Sequence, residues 1–331
     1  MFANATPFAG LAVPLHDERG ADVVVLLAKA TFVKRGSRLA LLEEQRPVRL
    51  NDVPTDEVAV REGRESSIRY PGDVCCEKPG ADVVIVGSAV SPKAVTSLDV
   101  AVRAPGLSMS LTVHGERVFY KSGLGIKISS AARFERAAIT YERAYGGRSK
   151  DGSLVDWHNP VGRGVHRSVS ELDGAPAPCV EDPAHPVTGA AATRPGGFGA
   201  IPMWWLPRRA FSGTMDAVWQ RERMPLPPLD FDRRFHHVAN PGLQMDRPLA
   251  AGDVIATRGM CSEGLFDVTV PELALVAHLR RTKGPPVSLR LVLDTAVLEP
   301  DAARFEITLR RVVPLGRGDT LLREARLDVD A

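Results

Sequence analysis

The sequence has few cysteines, almost no net charge and no long apolar run, and each shortage excludes a class of protein. Its four cysteines include the adjacent Cys75 and Cys76 but show no CxxC spacing, so neither a zinc ribbon nor a dithiol redox site is expected. The 42 basic and 40 acidic residues leave a formal charge of +2, which gives no electrostatic reason to expect nucleic acid as a partner. No stretch approaches the roughly 20 apolar residues that span a bilayer, so no membrane partner is expected.

The start of the sequence also lacks the features of a secretory signal. MFANATPFAG has neither a basic beginning nor an apolar stretch. We therefore expect a soluble, cytoplasmic protein whose cysteines are reduced and structural.

Motifs for covalent catalysis or phosphate binding are missing as well. There is no GxSxG elbow, and Cys179 lies among prolines without a neighbour that would activate its thiol. The glycines of residues 196–199, GGFG, do not have the GxxxxGK[ST] form and are more typical of turns. The sequence therefore predicts no enzyme and no cofactor.

Strand patterns fill both ends of the sequence. The nearly continuous apolar run at 22–33, DVVVLLAKATFV, predicts a strand at the centre of a sheet with both faces covered. Residues 96–103 and 305–310 alternate with a period of two, which is typical of strands with one buried face. Residues 58–60 are the clearest strand candidate in the weaker segment before position 70. No amphipathic helical pattern of ten residues occurs in the first 140, which argues against a βαβ nucleotide-binding fold.

The middle of the chain has a different composition, rich in proline and glycine. It holds every tryptophan of the sequence: Trp157, Trp204, Trp205 and Trp219. Residues 215–222, MDAVWQRE, have the acidic first turn of a short helix.

These patterns predict a mainly β fold, an antiparallel β-sandwich-like architecture with few short helices. It would consist of β-rich blocks at 1–140 and 251–331 and an irregular loop region at 141–250 that packs on the sheets. The pattern leaves open whether the two blocks form one domain or two.

Residues 139–165, which we call the central loop, are the stretch where function is expected. Glycine pairs and the Asn-Pro step give the central loop a defined course. Large rings in loops must cover a core edge or meet a partner, because leaving them in water forfeits about 2 kcal/mol each. Aromatic rings and arginine are also enriched at interface hot spots. The candidate partner-binding residues are Tyr145, Trp157, Asn159, Arg163, Trp204 and Trp205.

An alternative interpretation is a metal site in the loop region. Asp156, His158, Asp182 and His185 are residue types that bind metals, with His166 nearby in sequence. Such a site would support a metal-dependent hydrolase or a carbohydrate-active β-sandwich. The residues lack a helical spacing such as HExxH, and hydrogen bonding within turns accounts for the same pattern.

Several motifs occur in an order that resembles a known family. They are NATPF near the start, YERAYGG and NPVGRG in the central loop, EDPAHPV, PGGFGAIP and the block FSGTMDAVWQRERMPLPPLDFDRRFHHVA. Together they resemble an uncharacterised-domain family of type VI secretion system accessory proteins. The resemblance covers residues 4 to about 239 and is looser over the C-terminal strands. Tyr141 and Tyr145 stand where the family pattern has tryptophan and phenylalanine, which keeps the aromatic character.

The resemblance implies a role without catalysis. A member of that family would be an adaptor or chaperone that binds a PAAR-like tip or effector protein and helps to load it onto the VgrG spike protein. It would need no cofactor and no catalytic residue. Exposed sheet edges would offer a second mode of contact, in which a cargo segment adds a strand.

Overall fold

The fold of this computed structural model, which describes residues 1–123 and 125–330, is built mainly of strands. Strand residues make up 42% of the chain and helical residues 10%, which confirms the predicted mainly β class. The α-helices are α1 (Glu57–Arg61), α2 (Leu206–Arg209) and α3 (Ala217–Glu222). In the described part of the chain, none of them combines the length and the apolar character needed to cross a bilayer.

The strands follow one another along the whole chain. In chain order they are β1 (Phe2–Asn4), β2 (Ala9–His16), β3 (Asp22–Arg35), β4 (Arg38–Leu41), β5 (Val53–Pro54), β6 (Ile68–Tyr70), β7 (Ala81–Ile85), β8 (Ser88–Val95), β9 (Ser97–Ala104), β10 (Leu107–His114), β11 (Phe119–Ser122), β12 (Gly125–Ile128), β13 (Phe134–Ala138), β14 (Tyr145–Gly146), β15 (Arg163–Gly164), β16 (Val180–Glu181), β17 (Gln244–Met245), β18 (Val254–Arg258), β19 (Leu265–Thr269), β20 (Leu275–Arg281), β21 (Val287–Arg290), β22 (Val292–Glu299), β23 (Arg304–Pro314) and β24 (Leu322–Val329). Short 3₁₀ helices lie at Tyr141–Arg143, Val169–Glu171, Arg233–His236, Pro241–Leu243, Pro300–Ala302 and Gly318–Thr320.

The large sheet joins strands from both ends of the chain. Its order is β17-β7-β22-β23-β3-β2, and β4 pairs with the end of β3. Strands β22 and β23 come from the C-terminal block and pair with β7 and β3 of the N-terminal block, so the two blocks share one sheet. The architecture is mixed rather than purely antiparallel, because β22 runs parallel to β7 and β1 runs parallel to β24.

Two further sheets pack against the apolar face of the large sheet. A middle sheet has the order β16-β10-β9-β18-β19, and a small sheet has the order β1-β24-β20-β21. Side chains of all three sheets meet in one apolar core, among them Phe32, Phe305, Ile307, Val100, Val102, Leu275 and Leu327. Sheets that share a core in this way form a sandwich-like arrangement, as the alternating patterns predicted.

The individual strand predictions hold for the long runs and fail for the weakest one. The apolar run at 22–33 lies in β3, which is hydrogen-bonded on both sides and mostly buried, as predicted. Residues 58–60 were predicted as a strand, but they lie in α1. The Asp56 side chain accepts a hydrogen bond of 2.9 Å from the amide of Ala59 and so caps this helix, while Val58 and Val60 are exposed.

The second face of the large sheet is also buried, although its side chains are polar. The alternation at 305–310 predicted one covered face, yet Glu306 and Thr308 on the other face are buried too. Lys29 Nζ lies 2.9 Å from Asp73 and 3.2 Å from Glu306, and Thr308 donates a hydrogen bond of 2.9 Å to Asp73. Asp73 belongs to the segment between β4 and β7, so that segment covers the face through paired charges rather than through apolar packing.

Candidate functional site

Two parts of the central loop interlock through their backbones. Strands β14 and β15 pair in parallel, and the amide of Gly147 donates a hydrogen bond of 2.7 Å to the carbonyl of Asn159. Gly147 has a φ of +95°, and a Cβ at this position would lie 2.3 Å from the carbonyl oxygen of Gly162. The close approach therefore requires glycine, both for the backbone angle and for the space.

Asn159 closes this arrangement from the inside. Its side-chain amide donates hydrogen bonds of 2.8 Å to the carbonyl of Tyr141 and 2.9 Å to the carbonyl of Tyr145. The residue is fully buried, so it joins the YERAYGG and NPVGRG motifs and cannot touch a partner. The prediction that Asn159 contacts a partner is corrected accordingly.

Trp205 and Tyr145, two further candidates for partner contact, are also buried. The Trp205 ring meets the ring of Tyr141 edge to face, with the ring centres 5.3 Å apart, and both rings pack with Ile201. Arg208, one turn farther on, donates a hydrogen bond of 2.9 Å to the carbonyl of Ile201. Trp205 therefore fixes α2 against the central loop instead of presenting itself to solvent.

Trp157 and Trp204, which we call the tryptophan pair, remain exposed. Their exposed fractions are 39% and 45%. The carbonyl of Trp157 accepts a hydrogen bond of 2.7 Å from the amide of Leu206, which lies two residues after Trp204. The guanidinium of Arg209 lies 4.9 Å from the centre of the Trp157 ring and holds that ring by a cation–π contact. Both rings are thus partly exposed and lie on two segments whose backbones are hydrogen-bonded to each other.

Arg163, the last of the predicted contact residues, is partly buried and already has partners. Its guanidinium donates to Glu116 at 2.9 Å and to the carbonyl of Ala177 at 3.4 Å. Burial would raise the pKa of Glu116, but the hydrogen bond and the charge of Arg163 lower the pKa below its usual value. Arg163 therefore ties β15 to the neighbouring turn.

A cavity of about 740 Å³, which we call the central cavity, opens beside the central loop. This volume lies within the range of pockets that bind small molecules or peptide segments. Its lining combines rings and prolines with a few polar groups: Met109, Tyr141, Tyr145, Asp156, His158, Asp182, Ala192, Thr193, Arg194, Pro195, Ile201, Pro207, Asn240 and Pro241. Asp156 and His158 flank Trp157 in sequence, so the cavity and the tryptophan pair belong to one surface region.

The wall of the central cavity at Asn240 is anchored by a buried carboxylate. Asp82 of β7 is fully buried and accepts hydrogen bonds of 3.0 Å and 3.2 Å from the amides of Val238 and Ala239. Lys78 Nζ lies 2.7 Å from Asp82, and His237 Nδ1 lies 2.9 Å from it. Burial by itself would raise the pKa of Asp82, but the charge of Lys78 and the hydrogen bond with His237 lower it far below its usual value.

Asn240 continues from this anchor to the aromatic cluster. Its side-chain amide donates hydrogen bonds of 2.9 Å to the carbonyl of Gly197 and 3.3 Å to the hydroxyl of Tyr141. Burial raises the pKa of Tyr141, so this hydroxyl stays neutral and acts only as a hydrogen-bonding group. Asn240 thereby connects the anchor at Asp82 with the ring that borders the central cavity.

The residues of the metal-site alternative form separate pairs. His158 Nδ1 lies 3.1 Å from Asp156, and His185 Nδ1 lies 3.0 Å from Asp182. Each carboxylate also accepts a hydrogen bond from the backbone amide two residues later in the chain, at 3.0 Å for Asp156 and 2.9 Å for Asp182. His166 Nδ1 lies 2.9 Å from a carbonyl of its own loop, that of Gly164. Within residues 1–123 and 125–330, no three His, Cys, Asp or Glu side chains converge in a metal-binding group.

Comparison with known protein families finds one family that matches most of this chain. The family model described as "Uncharacterized protein conserved in bacteria (DUF2169)" matches residues 19–310. The chain belongs to this family. The match includes the central loop, the tryptophan pair and every residue that lines the central cavity. No curated protein and no solved structure matches the chain.

Sequence reasoning missed three residues that build the site of this DUF2169 protein: Asp82, Arg208 and Asn240. One signal for Asn240 was present, because the Asn-Pro step at 240–241 repeats the step at 159–160. In both steps the asparagine side chain holds a backbone carbonyl of a distant segment. Asp82 holds His237 and the amides of Val238 and Ala239, which lie at least 155 positions away. Arg208 also bonds the carbonyl of Phe235, 27 positions away, so no local pattern marked these roles.

Proposed function

We propose that this DUF2169 protein is a non-enzymatic type VI secretion accessory protein. It would act in the cytoplasm as an adaptor or chaperone that binds a PAAR-like tip or effector protein and helps to load it onto the VgrG spike protein. The identity of these partners rests on the resemblance of the ordered motifs, among them YERAYGG and NPVGRG. The contact surface proposed below rests on geometry.

The observation that carries the proposal is the exposure of the tryptophan pair on a tightly packed support. Tryptophan contributes a large contact area with few rotatable bonds and is enriched at interface hot spots. Trp157 is stacked against Arg209, and Trp204 directly precedes the fully buried Trp205. Because the support is already ordered, binding costs little conformational entropy.

The family-like motifs fit this proposal as the parts that build the support. Asn159 of NPVGRG bonds the carbonyls of Tyr141 and Tyr145 in YERAYGG, and Ile201 of PGGFGAIP packs on Tyr141. Tyr141 and Ile201, which lie 60 residues apart, therefore meet in the same apolar cluster as Trp205, the residue next to Trp204. A sequence that preserves these motifs preserves the presentation of the tryptophan pair.

Removing both rings of the tryptophan pair is expected to weaken the complex. The double variant Trp157→Ala/Trp204→Ala should lose roughly 2 kcal/mol or more of binding free energy, which is about a thirtyfold rise in Kd. The measurement is co-purification and isothermal titration with the PAAR-like tip or effector protein encoded beside the chain. The melting temperature should change little, because both rings are substantially exposed.

The matched control is Leu229→Ala, which removes an apolar side chain that is 86% exposed and does not line the central cavity. This variant should bind like the unaltered protein. Equal binding by the double variant and the control would contradict the proposed surface. Failure of the unaltered protein to bind any tip, effector or spike protein encoded beside it would contradict the proposed function.

A further inference from the structure

The central cavity carries an excess of negative charge in an otherwise nearly neutral protein. The carboxylates of Asp156 and Asp182 both border it, against the single guanidinium of Arg194 among its described lining residues. The formal charge of the whole chain is +2, so this local sign is opposite to that of the protein. A ligand that complements the central cavity would therefore be a cation.

Tyr145 adds an independent sign of a ligand. It is only 8% exposed, it borders the central cavity, and its hydroxyl has no hydrogen-bond partner in the described part of the chain. Burial, and to a smaller extent the charge of Asp156, raises the pKa of Tyr145, so the hydroxyl stays neutral. Polar groups that are largely buried normally have a partner, so this hydroxyl is open to a hydrogen-bonding group that enters the central cavity.

Asp156 also keeps an oxygen free. Its Oδ1 accepts a hydrogen bond from the backbone amide of His158 and lies 3.1 Å from Nδ1 of the same residue. Its Oδ2 has no hydrogen bond to any residue of 1–123 or 125–330. The side chain is 15% exposed and borders the central cavity. A charged donor that reached Oδ2 would form a strong hydrogen bond there.

We infer that the central cavity receives a lysine or arginine side chain carried on an extended segment of the bound protein. The inference rests on the proposed adaptor function and names the chemistry that this surface would recognise. The cationic group would donate to Oδ2 of Asp156, and the charge of Asp182 on the same cavity would add to the attraction.

The apolar part of the lining fits the rest of such a side chain. Lysine and arginine bury their aliphatic stems along apolar surface while the charged group finds its partner. The ring of Tyr141 and the prolines Pro195 and Pro207 supply that surface. Arg194 repels a second cation and can donate to a backbone carbonyl of the segment, which would fix the direction in which the segment lies.

A peptide pair tests the inference directly. The probes are acetylated and amidated alanine pentapeptides whose central residue is lysine in one and norleucine in the other, since norleucine keeps the stem and removes the charge. The full chain is titrated with each peptide, and binding is measured by ligand-observed NMR and by tryptophan fluorescence. The lysine peptide should show saturable binding. The norleucine peptide should bind roughly tenfold more weakly.

The variants Asp156→Asn and Asp182→Asn should each weaken binding of the lysine peptide roughly tenfold. Asparagine keeps the Oδ1 that accepts the turn amide, so the turns should survive. Tyr145→Phe should weaken binding less and leave the melting temperature unchanged. The matched control is Asp246→Asn, which removes an exposed carboxylate outside the cavity lining. This control should bind the peptide normally.

Two results would overturn the inference. In the first, the lysine and norleucine peptides bind equally well, or neither binds. In the second, the lysine peptide does not bind, and the chain binds Zn²⁺ alone in a way that depends on Asp156.

Formation of the complex with the PAAR-like or effector protein distinguishes a failure of this inference from a failure of the proposed function. A complex that forms normally with Asp156→Asn and Asp182→Asn leaves the function standing and removes the inference. If the lysine peptide binds but no protein complex forms, the inference stands and the proposed function is contradicted.

Discussion

Replacing Asp82 with asparagine is expected to lower the free energy of unfolding by about 3 to 5 kcal/mol. The substitution keeps the shape of the side chain and removes its charge, so the buried ammonium of Lys78 loses the carboxylate that lies 2.7 Å from it. The amides of Val238 and Ala239 also exchange a charged acceptor for a neutral one. Urea unfolding followed by circular dichroism measures the effect.

The control for this prediction is an exposed ion pair. Asp319→Asn removes the partner of Lys283, and both side chains are mostly in solvent, so the free energy of unfolding should change by no more than about 1 kcal/mol. If Asp82→Asn were as mild as Asp319→Asn, the buried carboxylate would not be the anchor of the cavity wall.

The Asp82 substitution should also change how stability depends on pH. The pKa of Asp82 is lower in the folded protein than its usual value of 3.8. Its contribution is therefore fully present above that value and is lost as the pH falls below it towards the folded pKa. Unfolding free energies measured from pH 5 downwards should fall less steeply for Asp82→Asn than for the unaltered protein. Parallel curves would show that the carboxylate is not stabilised in the folded state.

Replacing Gly147 with alanine is expected to cost about 3 kcal/mol or more. The new Cβ would lie 2.3 Å from the carbonyl oxygen of Gly162, and the backbone has a φ of +95°. Both effects push β14 and β15 apart. Because Trp157 lies between these strands in sequence, the variant should also lose binding of the PAAR-like or effector protein although both exposed rings remain.

Gly152→Ala is the matched control within the same loop. Gly152 has a similar φ of +71°, but in the described part of the chain no atom lies within 4 Å of the position where a Cβ would stand. Its substitution should cost only about 1 kcal/mol, the cost of the backbone angle, and should leave binding unchanged. Equal effects of the two substitutions in unfolding and in binding assays would refute the interlocked loop as the support of the tryptophan pair.

The sequence predicted the strands well where the apolar pattern is strong. The apolar run at 22–33 is more continuous than a strand with one exposed face requires, and β3 lies inside the large sheet with a strand on each side. The same pattern did not show why Lys29 sits inside that run, because its partners Asp73 and Glu306 lie 44 and 277 positions away. Alternation at 305–310 likewise identified β23 but could not show that paired charges bury its polar face.

Within the candidate site, the sequence did not show which side chains are buried and which are exposed. Trp204 and Trp205 are identical neighbours, and only the packing of Trp205 on Tyr141 decides which ring faces water. Asn159 was expected to contact a partner because it lies in the central loop, whereas its side-chain amide is hydrogen-bonded to two internal carbonyls. Asp156 and Asp182 were grouped as members of a metal site; both border the central cavity, but each is paired with its own histidine.

The most direct test of the proposed adaptor surface is hydroxyl-radical footprinting of the chain, free and in complex with the proposed partner, a PAAR-like tip or effector protein. In the free protein Trp157 and Trp204 should be oxidised and the buried Trp205 should not. On binding, oxidation of Trp157 and Trp204 should fall several-fold, while the exposed Met215 and Met224 keep their reactivity. Unchanged oxidation of the tryptophan pair in a fully formed complex would contradict the account.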